Sequence, residues 1–254
     1  MIPKIIHYCW LSNDPIPEKL QKYMASWKKY LPDYEFMKWD FNRFDKESCP
    51  WVSEAFDAKK YAFAADYIRI YALYKYGGIY LDMDVEVLKS FDDLLQYPYF
   101  LCYEQDGNGP EVAAFGAGGN QWLADWLDYY KGRHFVSINP QNRTPLPKIA
   151  INWLSQKGYV FKDIIKPSEI TQNINIKVIC LLPSEYFSPK SYTNGKIYCT
   201  LNTYSIHHFA GSWIPNEQKL EQKFWHFLGV KPHRIMWHVD NWLDRLRHII
   251  KRRS

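Results

Sequence analysis

The sequence predicts an α/β domain, a mixed and mainly parallel sheet flanked by helices, with a helical extension at its C-terminus. Three observations predict it. Apolar runs of strand length alternate with helical patterns through the first half, the signature of βα units and a parallel sheet. The 254 residues suit one large domain, which can bury about three quarters of its unfolded surface. Hydrophobic residues make up 47% and charged ones 23%, ordinary for a globular chain.

The elements follow in order. "KIIHYCW" (4–10) reads as a first strand, "IPEKLQKYMASWKKYLPD" as a helix ending near Pro32, and "YEFMKWD" (34–40) as a second strand. "DAKKYAFAADYIRIYALYKYGG" reads as one helix, with Asp57 as its N-cap and Gly77 free to take a left-handed C-cap. A strand over 79–88 follows, then "YFLCYE" and "EVAAFGAG". "NQWLADWLDYYKG" and "PKIAINWLSQKG" read as helices stopped by glycine, and "KVICLLP" and "TYSIHHF" as late strands. Two helical patterns close the chain.

Composition narrows the class. Five cysteines, odd in number and without a CxxC spacing, argue against a disulfide framework or a zinc site and fit a reducing compartment. The N-terminus lacks a signal-peptide pattern and no apolar run is long enough to span a bilayer, so a cytoplasmic location is expected. Residues 231–254 hold seven of the 32 Lys and Arg and two of the 27 Asp and Glu, so the rest of the chain is formally neutral. Ile235, Val239, Trp242, Leu246 and Ile249 form one helical stripe in this tail, with Arg245, Arg247 and residues 251–253 as its basic end. Two readings fit it: an amphipathic helix on an anionic membrane surface, or an end helix packed on the domain. No recognised module supports nucleic-acid binding. The 11 Trp, 20 Tyr and 14 Phe suggest an aromatic core, with stacking platforms for sugars or bases as the other reading.

The chemistry concentrates in "GGIYLDMDVEVL" (77–88). Strand alternation puts Ile79, Leu81, Met83, Val85 and Val87 on one face and Tyr80, Asp82, Asp84 and Glu86 on the other. Gathered carboxylates repel one another, and a divalent cation with oxygen ligands relieves that repulsion. The alternation is expected to break near Asp84 if the motif lies where strand gives way to loop. On the preceding helix, Asp66 and Arg69 stand three apart on one face amid apolar residues, and a charged pair heading for burial needs a partner or a ligand. Arg suits diphosphate oxygens and Asp suits sugar hydroxyls.

"IPKIIHYCW", "SWKKYLPDYEFMKWD", "AFAADYIRIYALYKYGGIYLDMDVEVLKSFDDLL" and "YSIHHFAGSW" together resemble glycosyltransferase family 32, the DxD-containing group of capsular polysaccharide and mannosyl transferases related to the clostridial glucosylating toxins. The resemblance covers the first 95 residues and 204–213. It implies a GT-A fold over 1–215, with a nucleotide-sugar-binding half (1–95), an acceptor half with closing loop (96–215), and a separate basic tail (216–254). It also implies a divalent metal, Mn²⁺ or Mg²⁺, and retention of anomeric configuration. Trp10 would stack on the nucleobase, Tyr80 would pack on the nucleotide, and Asp66 and Arg69 would hold the donor sugar and diphosphate. Asp84 would ligate the metal, while Asp82 would contact ribose or sugar or reach the metal through water. Asp82, Asp84 and Arg69 are therefore the expected catalytic residues. His207 and His208 face opposite ways on a strand, and the "HFAG" segment favours His208 as the third metal ligand, with His207 as the alternative. Ser212 and Trp213, after Gly211, would reach the diphosphate from the closing loop.

The expected activity is retaining hexosyl transfer from a nucleotide sugar, a UDP-sugar before GDP-mannose, to a glycan or lipid-linked oligosaccharide acceptor in bacterial capsule or surface polysaccharide synthesis. Two alternatives are a haloacid-dehalogenase-like phosphatase, whose first motif also reads DxDx(T/V), and a non-enzymatic carbohydrate-binding module. The phosphatase reading lacks its downstream lysine motif and leaves Asp66, Arg69 and the late histidines unexplained. No nucleophile is identifiable: Glu104, Asp106 and Glu111 lie in the right region without a specific spacing.

Overall fold

The structure, a computed structural model, describes residues 1–107, 109–135, 144–172 and 177–210. Its elements are β1 (Ile5–Cys9), α1 (Glu18–Tyr30), β2 (Glu35–Trp39), α2 (Pro50–Asp57), α3 (Tyr61–Tyr76), β3 (Gly78–Leu81), β4 (Val85–Val87), β5 (Tyr99–Phe100), β6 (Ala114–Ala117), α4 (Gln121–Leu127), α5 (Leu146–Gln156), β7 (Val160–Asp163), α6 (Ser168–Gln172), β8 (Val178–Leu181) and β9 (Ser205–His207). A five-stranded sheet runs β2-β1-β3-β6-β5. The mixed α/β sheet expected from the sequence is thus present. Its N-terminal half is parallel, with Ile6 opposite both Phe36 and Ile79, and β6 and β5 join it antiparallel. Two small sheets complete the fold: β4 with β9 antiparallel, and β7 with β8 parallel.

The centre of the main sheet is fixed by close backbone approach. Gly77 ends α3 at φ 63° and ψ −174°, a region open essentially to glycine alone. Gly78 follows at φ 111°, and a Cβ there would lie 2.7 Å from the Ile5 carbonyl oxygen. This lets β3 lie flush against β1. His7, fully buried, bridges the junction: its Nε2–H donates to the Gly77 carbonyl at 2.7 Å, and its Nδ1 accepts from the Trp39 indole at 3.0 Å. Burial pushes the His7 pKa down to about 4.

Several boundaries differ from the sequence reading, each for a local reason. Helix α3 starts at Tyr61, and Asp57 closes the separate helix α2, because Lys59 takes φ 57° and breaks the run. Lys60 stands at the N-cap of α3 without a side-chain cap bond. The strand expected over 79–88 is two strands: a turn at Asp82–Asp84, closed by Val85 N–H to the Asp82 carbonyl at 3.0 Å, separates β3 from β4. That is the break expected near Asp84. β4 passes to another sheet, and α1 covers its outer edge. The Trp27 indole donates to the Val85 carbonyl at 2.7 Å, and Val87 N–H donates to the Ser26 hydroxyl at 2.8 Å.

The aromatics mostly fill the core: Trp27, Trp39, Trp51, Trp126, Tyr130, Phe91 and Phe187 are each at most 1% exposed. All five cysteines are free. Among the described residues no helix is long and apolar enough to cross a membrane. Gly211, Ser212, Trp213 and the basic tail lie outside the described residues, as does the membrane contact expected of that tail.

Candidate functional site

The carboxyl end of β3 gathers the expected chemistry. Asp82 leaves the strand with its N–H bonded to the Ala113 carbonyl at 2.7 Å, which extends the β3–β6 ladder by one rung. Asp84 sits two residues on, in the turn. β9 runs antiparallel beside β4 with His207 opposite Val85. Asp82, Asp84 and His207 thereby come together, each offering a ligand atom within 4.8 Å of the others. His207 Nε2 lies 3.6 Å from Asp84 Oδ1. The Ala210 N–H donates to Asp84 Oδ2 at 2.6 Å.

The histidine at this cluster is His207, not the favoured His208. Side chains two apart on paired strands share a face, so His208 falls on the side of Glu86, which pairs with Ile206. There its Nε2 meets Glu86 Oε2 at 2.8 Å and its ring stacks on Tyr23 at 4.3 Å. The same register removes Glu86 from the acidic cluster and gives it a partner elsewhere.

Asp82 is held from behind. The Arg69 guanidinium donates through Nη1 to Asp82 Oδ2 at 3.2 Å and to the Val112 carbonyl at 2.9 Å, and its Nη2 pairs with Asp66 at 3.1 Å. The Arg69 side chain is 6% exposed, so it works through Asp66 and Asp82 and presents no open fork; its buried Nε–H has no protein acceptor. Tyr80 was expected to pack on the nucleotide. At 1% exposure, with Arg69 4.8 Å over its ring, it has no face to offer a ligand, and its hydroxyl instead donates to Asp82 Oδ1 at 2.8 Å. Trp10 lies just beyond β1, half-buried, its indole donating to the Asp14 carbonyl at 2.8 Å.

Electrostatics follow from burial and pairing. Burial pushes the Asp66 carboxyl up to about 6 against the pull of Arg69, and it raises Asp82 in the same way. Asp84 is also buried, but His207 and the Ala210 N–H overcome that and hold it at about 2. Burial opposes charge on His207, yet the flanking Glu111 and Asp84 outweigh it and push its pKa well up. In Glu104, burial and then Glu111 push the carboxyl up to about 7.

Glu111 is the residue at the site to which sequence reading assigned no role. It is 1% exposed; its Oε1 accepts from Ala113 N–H at 2.7 Å and its Oε2 lies 3.1 Å from His207 Nδ1. Its only sequence signal was an acid opening the apolar run "EVAAFGAG"; its position beside the cluster follows from the β3–β6 register. Two carboxylates and an imidazole within such reach of one another, with the carboxylates crowded in a half-buried turn, form a donor set that fits a divalent cation.

Comparison with known proteins agrees with this reading of the motif. The family described as "Glycosyltransferase sugar-binding region containing DXD motif" matches residues 17–101. An uncharacterized glycosyltransferase of Acanthamoeba polyphaga mimivirus is 31% identical over 225 residues, 85% of each chain. Inositol phosphoceramide mannosyltransferase 3 of Schizosaccharomyces pombe is 43% identical over 101 residues, 38% of this chain; the match spans only 28% of that protein's length. Among solved structures, the PaToxG glycosyltransferase aligns with a TM-score of 0.48 at 21% identity, over 61% of this chain and 69% of its own. The chain belongs to the DXD-containing glycosyltransferase family, which sets the phosphatase alternative aside.

Proposed function

We propose that the protein is a metal-dependent, retaining glycosyltransferase of GT-A type that moves a hexose from a nucleotide sugar to a glycan or lipid acceptor. The observation that carries this is the cluster of Asp82, Asp84 and His207 at the end of β3, backed by the buried Arg69. A divalent cation held there would neutralise charge on the departing diphosphate. The chain's own groups do the rest. Arg69 and Tyr80 hold both oxygens of Asp82, and Ala210 N–H orients Asp84. Asp66, 13% exposed beside Arg69, would meet sugar hydroxyls of the donor. The fungal relatives, inositol phosphoceramide mannosyltransferases, favour mannose as the sugar and add an inositol phosphoceramide-like lipid to the expected surface-glycan acceptors.

A thermal-shift panel of UDP- and GDP-sugars, with and without Mn²⁺, tests the proposal: one nucleotide sugar should stabilise the protein only with metal present, and that sugar names the donor. Asp84→Asn should abolish this stabilisation and lower transfer by roughly 100-fold or more while leaving the fold intact. Undiminished metal-dependent transfer in the variant sinks the proposal.

A further inference from the structure

The segment 111–113 touches the cluster from both sides. The Ala113 carbonyl takes the Asp82 N–H at 2.7 Å, and the Val112 carbonyl takes Arg69 Nη1 at 2.9 Å. Glu111 turns the other way to His207 Nδ1 at 3.1 Å, with its second oxygen tied to Ala113 N–H at 2.7 Å. Three consecutive residues thus connect the carboxylate arriving on β3 with the imidazole arriving on β9.

The geometry points to Glu111 as the positioning residue that makes His207 a metal ligand. The inference rests on the metal-site reading above. An imidazole has two ring nitrogens and can give a cation only one lone pair. With Nδ1–H donated to Glu111, Nε2 is the nitrogen left to offer its lone pair to a cation, and it faces Asp84 at 3.6 Å. Ligating histidines generally give their second N–H to a carboxylate or carbonyl, which fixes ring orientation and raises ligand basicity. Glu111 suits that task because it cannot swing away. At 1% exposure, with both oxygens engaged, it has no solvent-facing alternative. Glu104, its acidic neighbour, makes no such bond to either histidine among the described residues.

The test measures Mn²⁺ itself, by calorimetry and by pulsed paramagnetic resonance on the full chain, in the wild type, Glu111→Gln, Glu111→Ala and Asp84→Asn. Gln keeps an acceptor for Nδ1–H and loses the charge; Ala loses both. Mn²⁺ affinity should fall about 10-fold in Glu111→Gln and up to about 100-fold in Glu111→Ala. The imidazole-nitrogen coupling to Mn²⁺ should persist in the former and vanish in the latter. A merely structural Glu111 would change the unfolding temperature without touching that coupling. Wild-type affinity and coupling in Glu111→Gln and Glu111→Ala would overturn the inference, and if the Ala variant fails to fold, an affinity unchanged in Glu111→Gln overturns it alone. Asp84→Asn separates the two levels: if it still binds Mn²⁺ as the wild type does, the metal-site reading is the one that falls.

Discussion

Arg69 carries the heaviest electrostatic duty of any single residue here. It lies under Asp82 and Asp66, and its positive charge makes two half-buried carboxylates tolerable side by side. Removing one member of a buried ionic group leaves the others uncompensated, a cost of about 3–5 kcal/mol. Arg69→Ala should therefore lower the unfolding free energy by about that amount in urea titration, and a change within about 1 kcal/mol would show that the triad is not structural. Arg69→Lys keeps the charge but has no planar fork to reach Asp66, Asp82 and the Val112 carbonyl at once, so it should fall between. At this scale the sequence was partly legible. The spacing of Asp82 and Asp84, and of Asp66 and Arg69, is local information. The choice of His207 over His208 and the arrival of Glu111 depend on which strands pair and in what register, which local pattern does not contain.

At the scale of elements, the junction of α3 with β3 determines where Asp82 emerges. Gly78→Ala would place a methyl group 2.7 Å from the Ile5 carbonyl oxygen and 3.0 Å from His7 Nε2, at φ 111°. A methyl group at Gly158, φ 85°, would meet nothing within 4 Å. Gly158→Ala should cost about 1–2 kcal/mol, the strain of a positive φ alone. Gly78→Ala adds overpacking worth about 1–3 kcal/mol more, and the two measured side by side by thermal unfolding separate clash from strain. Equal losses would mean that β1 yields to the methyl group freely. The helix and its stop at Gly77 were readable from the sequence, although Gly77 takes an extended ψ of −174° and not the left-handed helical cap expected of it. The start of the helix was not, because the helical pattern runs on through residues 57–60, where Lys59 breaks the chain by its backbone conformation. Strands β7 and the short β5 escaped or shrank because their pairing, not their composition, defines them.

Across the whole molecule, His7 couples acidity to stability. Its folded pKa of about 4 lies below the ordinary value of 6.5, so the unfolded chain takes up a proton that the native state refuses. The His7 contribution is therefore complete above pH 6.5 and is lost as pH falls toward 4, by up to about 3 kcal/mol. Asp66, raised to about 6, works in the opposite direction over much of that range. A His7→Gln variant isolates the histidine: as pH falls from 6.5 to 4 its stability should rise relative to that of the wild type. An identical pH slope would contradict the assignment. The alternation of strands and helices made the sheet's class legible in advance. Its reversal to antiparallel at β6 was not, since nothing local in "EVAAFGAG" states direction.

The β4–β9 pairing also has a consequence in time. All five strands of the main sheet are encoded before residue 118, whereas β9 begins at Ser205. Synthesis proceeds from the N-terminus, and long-range pairings bear the larger closure cost. The scaffold and both aspartates of the turn can be in place on a nascent chain well before His207 has been translated. The imidazole is the last of the three to be made, so the Asp82–Asp84–His207 cluster cannot be complete until β9 has been translated.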